Sequence, residues 1–149
     1  MSAENEIVAE IYSVLTGDDT LMNDSGIDPE TGLAREIQVY GQPTESAQLP
    51  YVRITLTDAL PLDEEGFQIT TPVAGIIGLL VNVFSDWEPE VRSIAARLRY
   101  LLGEHAVSTT GFKGWTRLES TDYYDDNLSD PDHVIRSAAL RVRCILEPA

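Results

Sequence analysis

The side chains best suited to catalysis or metal binding are few in this sequence and lie apart from one another. His105 and His133 could act as bases or metal ligands, but neither has the spacing of a nucleophile or metal motif. The single cysteine, Cys144, lies among alternating apolar residues, which predicts a buried, unreactive thiol. The sequence contains no serine-hydrolase, zinc-protease, P-loop or dinucleotide signature. We therefore expect no catalytic residue, no cofactor and no metal site, and a protein that is not an enzyme.

Carboxylates are abundant instead. The chain has 25 acidic and 10 basic residues, a formal net charge of −15, and Lys113 is its only lysine. With so many acids, no single pair of carboxylates is informative about glycosidase-type chemistry. The acids in Asp18–Glu36 do not have the spacing of the calcium ligands in an EF-hand loop. The net negative charge argues against direct binding of nucleic acid, because such binding needs a basic face on the protein. The composition is similar to that of proteins from haloarchaea and their viruses, where molar salt screens carboxylate repulsion. An ordinary acidic protein is the alternative.

The charges are also unevenly distributed along the chain. Residues 1–90 hold 17 acids and two bases, whereas residues 91–149 hold eight of each. Contacts between subunits could use this asymmetry, or folding could scatter it over one surface.

Two amphipathic segments predict the helices that must position these side chains. Apolar residues at three- and four-residue spacing predict a first helix over Ala3–Leu15, with Gly17 at its end. A second helix is predicted over Pro89–Leu102, where a proline lies in the first turn and Gly103 follows the last. It would be about 21 Å long and suited to lie across a sheet.

Five further segments have the alternation of β-strands. They are Ile37–Tyr40, Leu49–Thr57, Val73–Phe84, Gly111–Tyr124 and Val134–Leu146. Gly75 and Gly78 suit a bulge, a bend or a close backbone approach. In the last strand Cys144 shares the apolar face, whereas Arg141 and Arg143 lie on the other. The order α-β-β-β-α-β-β predicts an α+β fold, in which a mixed or antiparallel sheet of about five strands packs against two helices in one domain over residues 1–149.

Two acidic segments connect these elements. Asp18–Glu36 has the composition of a turn-rich, solvated loop. Asp58–Pro72 is either a long loop or a β-hairpin arm that projects from the body, and its apolar residues would form an interface or fold back onto the sheet. The candidate interface residues are Leu62, Phe67, Ile69, Arg141 and Arg143.

Four short motifs follow the first helix in a familiar order. They are Leu-Pro-Tyr-Val at Leu49–Val52, an apolar strand ending at Val81–Ser85, an Arg/Ala-rich helix at Val91–Leu102, and apolar–Arg alternation at Leu140–Arg143. This arrangement resembles the tail-terminator, or tail-completion, family of long-tailed viruses. The resemblance covers nearly the whole chain, although the two acidic segments look longer than the family's minimal pattern.

The resemblance implies a virion protein, made in the host cytoplasm and located at the junction of tail and neck. Its subunits would form a homo-oligomeric ring, hexameric in the family, that caps the tail tube and ends its polymerisation. The ring would contact the tail-tube protein on one side and a head-side neck or connector protein on the other. DNA would pass through the channel without specific binding, which suits an acidic protein because its carboxylates repel phosphates.

Three alternatives remain open at this point. The chain could be another neck component, such as a head–tail connector or stopper. It could be a small-molecule-binding α+β domain or a hydrolase with a pocket around His105 or His133. It could also be an acidic mimic that occupies a basic site. We expect no membrane partner, because no apolar run is long enough to span a bilayer and no signal peptide is recognisable.

Overall fold

A computed structural model describes residues 3–41, 48–59, 75–126 and 135–148. The helices are α1 (Ala3–Thr16) and α2 (Glu88–Leu102), and a short π-helical turn spans Thr20–Asp24. The strands are β1 (Gly26–Ile27), β2 (Ala34–Arg35), β3 (Gln38–Tyr40), β4 (Tyr51–Ala59), β5 (Gly75–Ser85), β6 (Ala106–Thr109), β7 (Phe112–Asp126) and β8 (Ile135–Pro148).

Six strands form one mixed sheet in the order β3-β4-β5-β8-β7-β6, and β1 pairs with β2 in a separate two-stranded sheet. β3 runs parallel to β4, and the other neighbours in the large sheet are antiparallel. The α+β class and the mixed sheet packed by two helices are therefore confirmed.

The number and order of strands differ from the prediction, because β1, β2 and β6 were not expected. β6 buries a single side chain, Val107, and β1 and β2 have two residues each, so none is long enough to show alternation. The prediction that Asp18–Glu36 is only a solvated loop was wrong. This segment contains the π-helical turn, the β1–β2 pair and the fully buried Leu21.

One hydrophobic core lies between the helices and the sheet. The α1 side chains Ile7, Ile11 and Leu15 are fully buried, as are Ile94 and Leu98 of α2. They pack against the apolar face of the central strands, which confirms that both predicted stripes are core. Each such Leu or Ile contributes about 1.5–3 kcal/mol by leaving water.

Bulges in two strands change which side chains share a face. β7 has one residue more than β8 at Glu119, since Leu118 pairs with Val142 whereas Ser120 pairs with Arg141. Beyond this bulge the alternation in β7 is inverted. β4 has a similar irregularity opposite Gly78, where sequence had suggested a bulge, a bend or a close approach.

Candidate assembly interface on the open face of the sheet

In the described part of the chain both helices pack on one face of the large sheet, and the opposite face is left without a covering layer. We call this second face the open face. The register of β4, β5, β8 and β7 gives its members, because partners on adjacent strands point to the same side. The larger ones are Tyr51, Arg53, Ile76, Leu80, Phe84, Lys113, Trp115, Arg117, Asp122, Tyr124, Arg141, Arg143, Ile145 and Glu147.

Aromatic rings are grouped at the end of the open face formed by β3, β4 and β5. The rings of Tyr40 and Tyr51 meet edge to face with centroids 5.7 Å apart, and Tyr51 stacks on Phe84 at 4.8 Å. The Arg53 guanidinium lies 5.3 Å from the Phe84 centroid. Burial raises the pKa of the Tyr51 phenol.

Small polar side chains between the larger side chains of the open face are buried. Asn82 and Ser137 are each 2% exposed, and Asn82 Oδ1, Ser137 Oγ and Thr55 Oγ1 have no hydrogen-bond partner among the described residues. A buried polar group without a partner costs about 1–3 kcal/mol. Within the described residues these three oxygens are therefore available to accept a hydrogen bond from a further group.

A cleft of about 280 Å³ opens on the same face over Gly78. Because this glycine has no side chain, the cleft extends between Thr57 on β4 and the two arginines of β8, Arg141 and Arg143. Glu119 lies at its rim and forms an ion pair with Arg143.

The cations next to the cleft are unevenly neutralised. Arg117 is directly opposite Arg143 across the β7–β8 ladder, an arrangement that is destabilising for two like charges. Six of the ten cations form ion pairs with carboxylates, which leaves four that form none among the described residues. Three of these four, Arg53, Arg117 and Arg141, lie on the open face, and the fourth, Arg99, is on α2. Among the described residues, cations without an ion-pair partner are thus concentrated on the open face.

Residues 18–36 form a compact unit on the helix side of the sheet, which we call the acidic lobe. It contains six acids and one base, Arg35. The fully buried Glu90 of α2 accepts hydrogen bonds from Arg35 Nε at 2.7 Å and Nη2 at 2.6 Å, from Ser85 Oγ at 2.6 Å and from the Ile27 amide at 2.7 Å. The Glu90 hydrogen bonds raise the pKa of Arg35.

A second bidentate pair fixes the beginning of the acidic lobe. Arg97 of α2 donates to the two carboxylate oxygens of Asp18 at 2.8 and 2.9 Å, and the Leu21 amide donates to Asp18 Oδ2 at 2.8 Å. The hydrogen bond from Arg97 lowers the pKa of Asp18. The exposed acids of the lobe that form no ion pair with another described residue are Asp19, Asp24, Glu30 and Glu36.

The sequence-predicted residues are only partly within the described structure. Arg141 and Arg143 are exposed on the open face, and their role in an interface stays a prediction. Leu62, Phe67, Ile69 and most of the proposed arm at 58–72, like His133, lie outside the described residues. Sequence reasoning missed Glu90 and the acidic lobe. The sequence signal that could have indicated them was Arg35, because residues 1–90 hold only two bases beside 17 acids.

The remaining chemistry-bearing residues do not form a site in the part of the chain that the structure describes. Cys144 is buried, as predicted, and burial raises the pKa of its thiol to about 12. His105 is partly buried and lines neither the Gly78 cleft nor a second cleft of about 170 Å³ beside Tyr123 and Arg136. Within the described ranges, no three His, Cys, Asp or Glu residues are placed to share a metal ion. None of the helices described there is long and apolar enough to cross a membrane.

Comparison with known proteins finds solved structures that are similar to this chain. No family model matches the sequence, and neither does any curated protein. Twenty-two chains of solved structures match it. One is a chain from the virion of a native gene transfer agent particle, with a TM-score of 0.67 and 18% identity over 99% of each chain. At this identity the likeness shows that the two chains share a fold from end to end.

Proposed function

We propose that this chain is a structural protein of a virion or virion-like particle, and that it acts by assembly without catalysis. The observation that carries the proposal is the end-to-end likeness to a chain of a gene transfer agent virion, at a TM-score of 0.67 and 99% coverage of both chains. The open face supports it, because a sheet face that the described residues leave uncovered, and that is partly apolar, is suited to contact with another subunit.

The more specific proposal is a tail-terminator role. Subunits would form a ring, hexameric by family resemblance, that caps the tail tube, ends its polymerisation and joins it to a head-side neck protein. The order of motifs from Leu49 to Arg143 supports this role. The net charge of −15 suits a channel through which DNA passes without being retained.

The test is to determine the mass and shape of the purified protein. Light scattering and negative-stain electron microscopy, in about 0.15 M and about 1 M salt, should reveal closed rings in at least one condition. Added tail-tube protein should form tubes of finite length with the ring at one end. A monomer in both salts that leaves tube growth unchanged would refute the proposal.

A second candidate is another neck component, such as a head–tail connector or stopper, since such proteins also form rings. The tube assay separates the two roles: a terminator binds the tube end and stops its growth, whereas a stopper leaves tube length unchanged. The scarcity of lysine leads us to propose a high-salt habitat as well. Rings that form in molar salt and dissociate in dilute buffer would support it, because dilute buffer restores repulsion between chains of charge −15.

A further inference from the structure

We infer that the arginines of the open face bind the acidic lobe of a second copy of this chain, so that subunits join head to tail. The inference rests on the proposed assembly and identifies the two surfaces that would meet in it. One surface is the cleft over Gly78 with Arg117, Arg141 and Arg143, and the other is the exposed carboxylates of residues 18–36.

Charge complementarity selects a second copy as the occupant. The described part of the chain leaves Arg53, Arg117 and Arg141 without carboxylate partners on the open face, although acids outnumber bases 25 to 10. The acidic lobe has the opposite composition, with six acids and one base, and that base is already paired with Glu90. Each surface therefore supplies the charges that the other lacks.

The position of the two surfaces makes the contact intermolecular. The acidic lobe packs against α2 and α1, on the helix side of the sheet, whereas the cleft lies on the opposite side. A lobe therefore cannot reach the cleft of its own chain. Two different patches on opposite sides produce a heterologous contact, which closes into a ring when the rotation between subunits permits it.

The local geometry of the cleft favours a carboxylate. Arg117 on β7 lies directly opposite Arg143 on the adjacent strand β8. Among the described residues Arg143 has an acidic partner, Glu119, and Arg117 has none. A carboxylate placed beside Arg117 and Arg141 would relieve this like-charge pair and accept charge-assisted hydrogen bonds. The missing side chain at Gly78 leaves room for it within about 280 Å³.

The first experiment reverses one charge on the open face. Arg141→Glu should weaken self-association about tenfold or more, because a carboxylate would then meet the carboxylates of the lobe. The matched control is Arg99→Glu, which changes the net charge equally at an exposed, unpaired arginine on α2. Sedimentation velocity in about 0.15 M and about 1 M salt gives the association constants, and the variants are compared in each salt where the unaltered chain assembles, since salt screens both this contact and general repulsion. Far-UV circular dichroism and the urea midpoint check that both variants fold.

The second experiment changes the lobe and separates a specific contact from general repulsion. Converting Asp19, Asp24, Glu30 and Glu36 to their amides changes the net charge from −15 to −11. General repulsion predicts stronger self-association for this variant, whereas our inference predicts weaker association. Mixed with Arg141→Glu, it should form heterodimers and nothing larger, because each variant keeps only one competent surface.

The outcomes distinguish the inference from the proposed function. If the unaltered chain forms rings but Arg141→Glu associates like Arg99→Glu, the inference is wrong and the ring proposal stands. Stronger association of the amide variant also contradicts it. Unchanged rings with weakened binding of duplex DNA or of tail-tube protein would assign the arginines to those partners instead. A chain that never assembles overturns both proposals.

Discussion

Replacing Glu90 by glutamine tests how the acidic lobe is held against the helices. The side chain is fully buried and accepts four hydrogen bonds, two of them from Arg35. Glutamine keeps the shape but replaces one oxygen with an NH₂ group, which is a donor. At the Oε1 position this NH₂ group faces the Ser85 hydroxyl and Arg35 Nη2. The hydroxyl can rotate and accept a hydrogen bond from it, whereas the guanidinium nitrogen is only a donor.

The expected loss of stability follows from that conflict. Charge-assisted hydrogen bonds contribute about 1.5–3 kcal/mol each, and removing one partner of a buried ion pair costs about 3–5 kcal/mol. Arg35 retains 28% side-chain exposure, and Asp86 lies 3.9 Å from its Nη2, so part of the guanidinium energy is recovered. We expect Glu90→Gln to lower the free energy of unfolding by about 2–4 kcal/mol. In a protein of this size that lowers the melting temperature by roughly 4–16 °C.

Urea denaturation followed by circular dichroism measures this difference. The matched control is Glu88→Gln, two residues earlier, where both side chains of the ion pair with Arg92 are 56% exposed. The control should change stability by at most about 0.5 kcal/mol. If Glu90→Gln destabilises the protein no more than Glu88→Gln does, the buried network does not hold the lobe and our account of it is wrong.

Three further predictions concern packing, pH and the thiol. Gly114→Ala should lower the free energy of unfolding, measured by urea denaturation, by about 1–3 kcal/mol, because the new β-carbon would collide with the Ile145 carbonyl oxygen. The control Gly41→Ala, with open space around it, should be nearly neutral. Equal effects of the two substitutions would contradict this prediction. The Arg97 hydrogen bond lowers the pKa of Asp18 below its usual 3.8. Asp18→Asn should therefore be about 1 kcal/mol less stable than the unaltered chain at neutral pH, and this difference should vanish as the pH falls through the lowered pKa. A stability difference that persists in acid would contradict the prediction. Cys144 should resist a thiol reagent at pH 8 in the native protein and react fully in urea, since its pKa is raised to about 12 by burial; rapid native labelling would refute that burial.

The elements with long, regular patterns could be predicted from sequence. The second helix, predicted over Pro89–Leu102, is α2 at Glu88–Leu102, because its apolar stripe is continuous over several turns. The last strand, predicted over Val134–Leu146, is β8 at Ile135–Pro148, because burial on one face enforces strict alternation. Local patterns sufficed where one side of an element meets the core.

The acidic lobe and the open face could not be predicted in the same way. The pairs that hold the lobe join residues 55 and 79 positions apart, Arg35 with Glu90 and Asp18 with Arg97, and no local pattern encodes such a pairing. The residue that inverts alternation in β7, Glu119, looks like any other polar strand residue. Arg141 could be assigned to the polar face of its strand from sequence. Which side chains surround it on the adjacent strands is known only from the register of the sheet.

The network around Glu90 also has a thermodynamic consequence for binding. Ordering a flexible backbone costs roughly 1–2 kcal/mol per residue in conformational entropy. Because Arg35 and Asp18 fix the acidic lobe to α2, that loss occurs when the chain folds and does not recur when the lobe meets a partner. A lobe released by Glu90→Gln would have to be ordered at the moment of contact. Its affinity for a partner would then fall even though every carboxylate on its surface is retained.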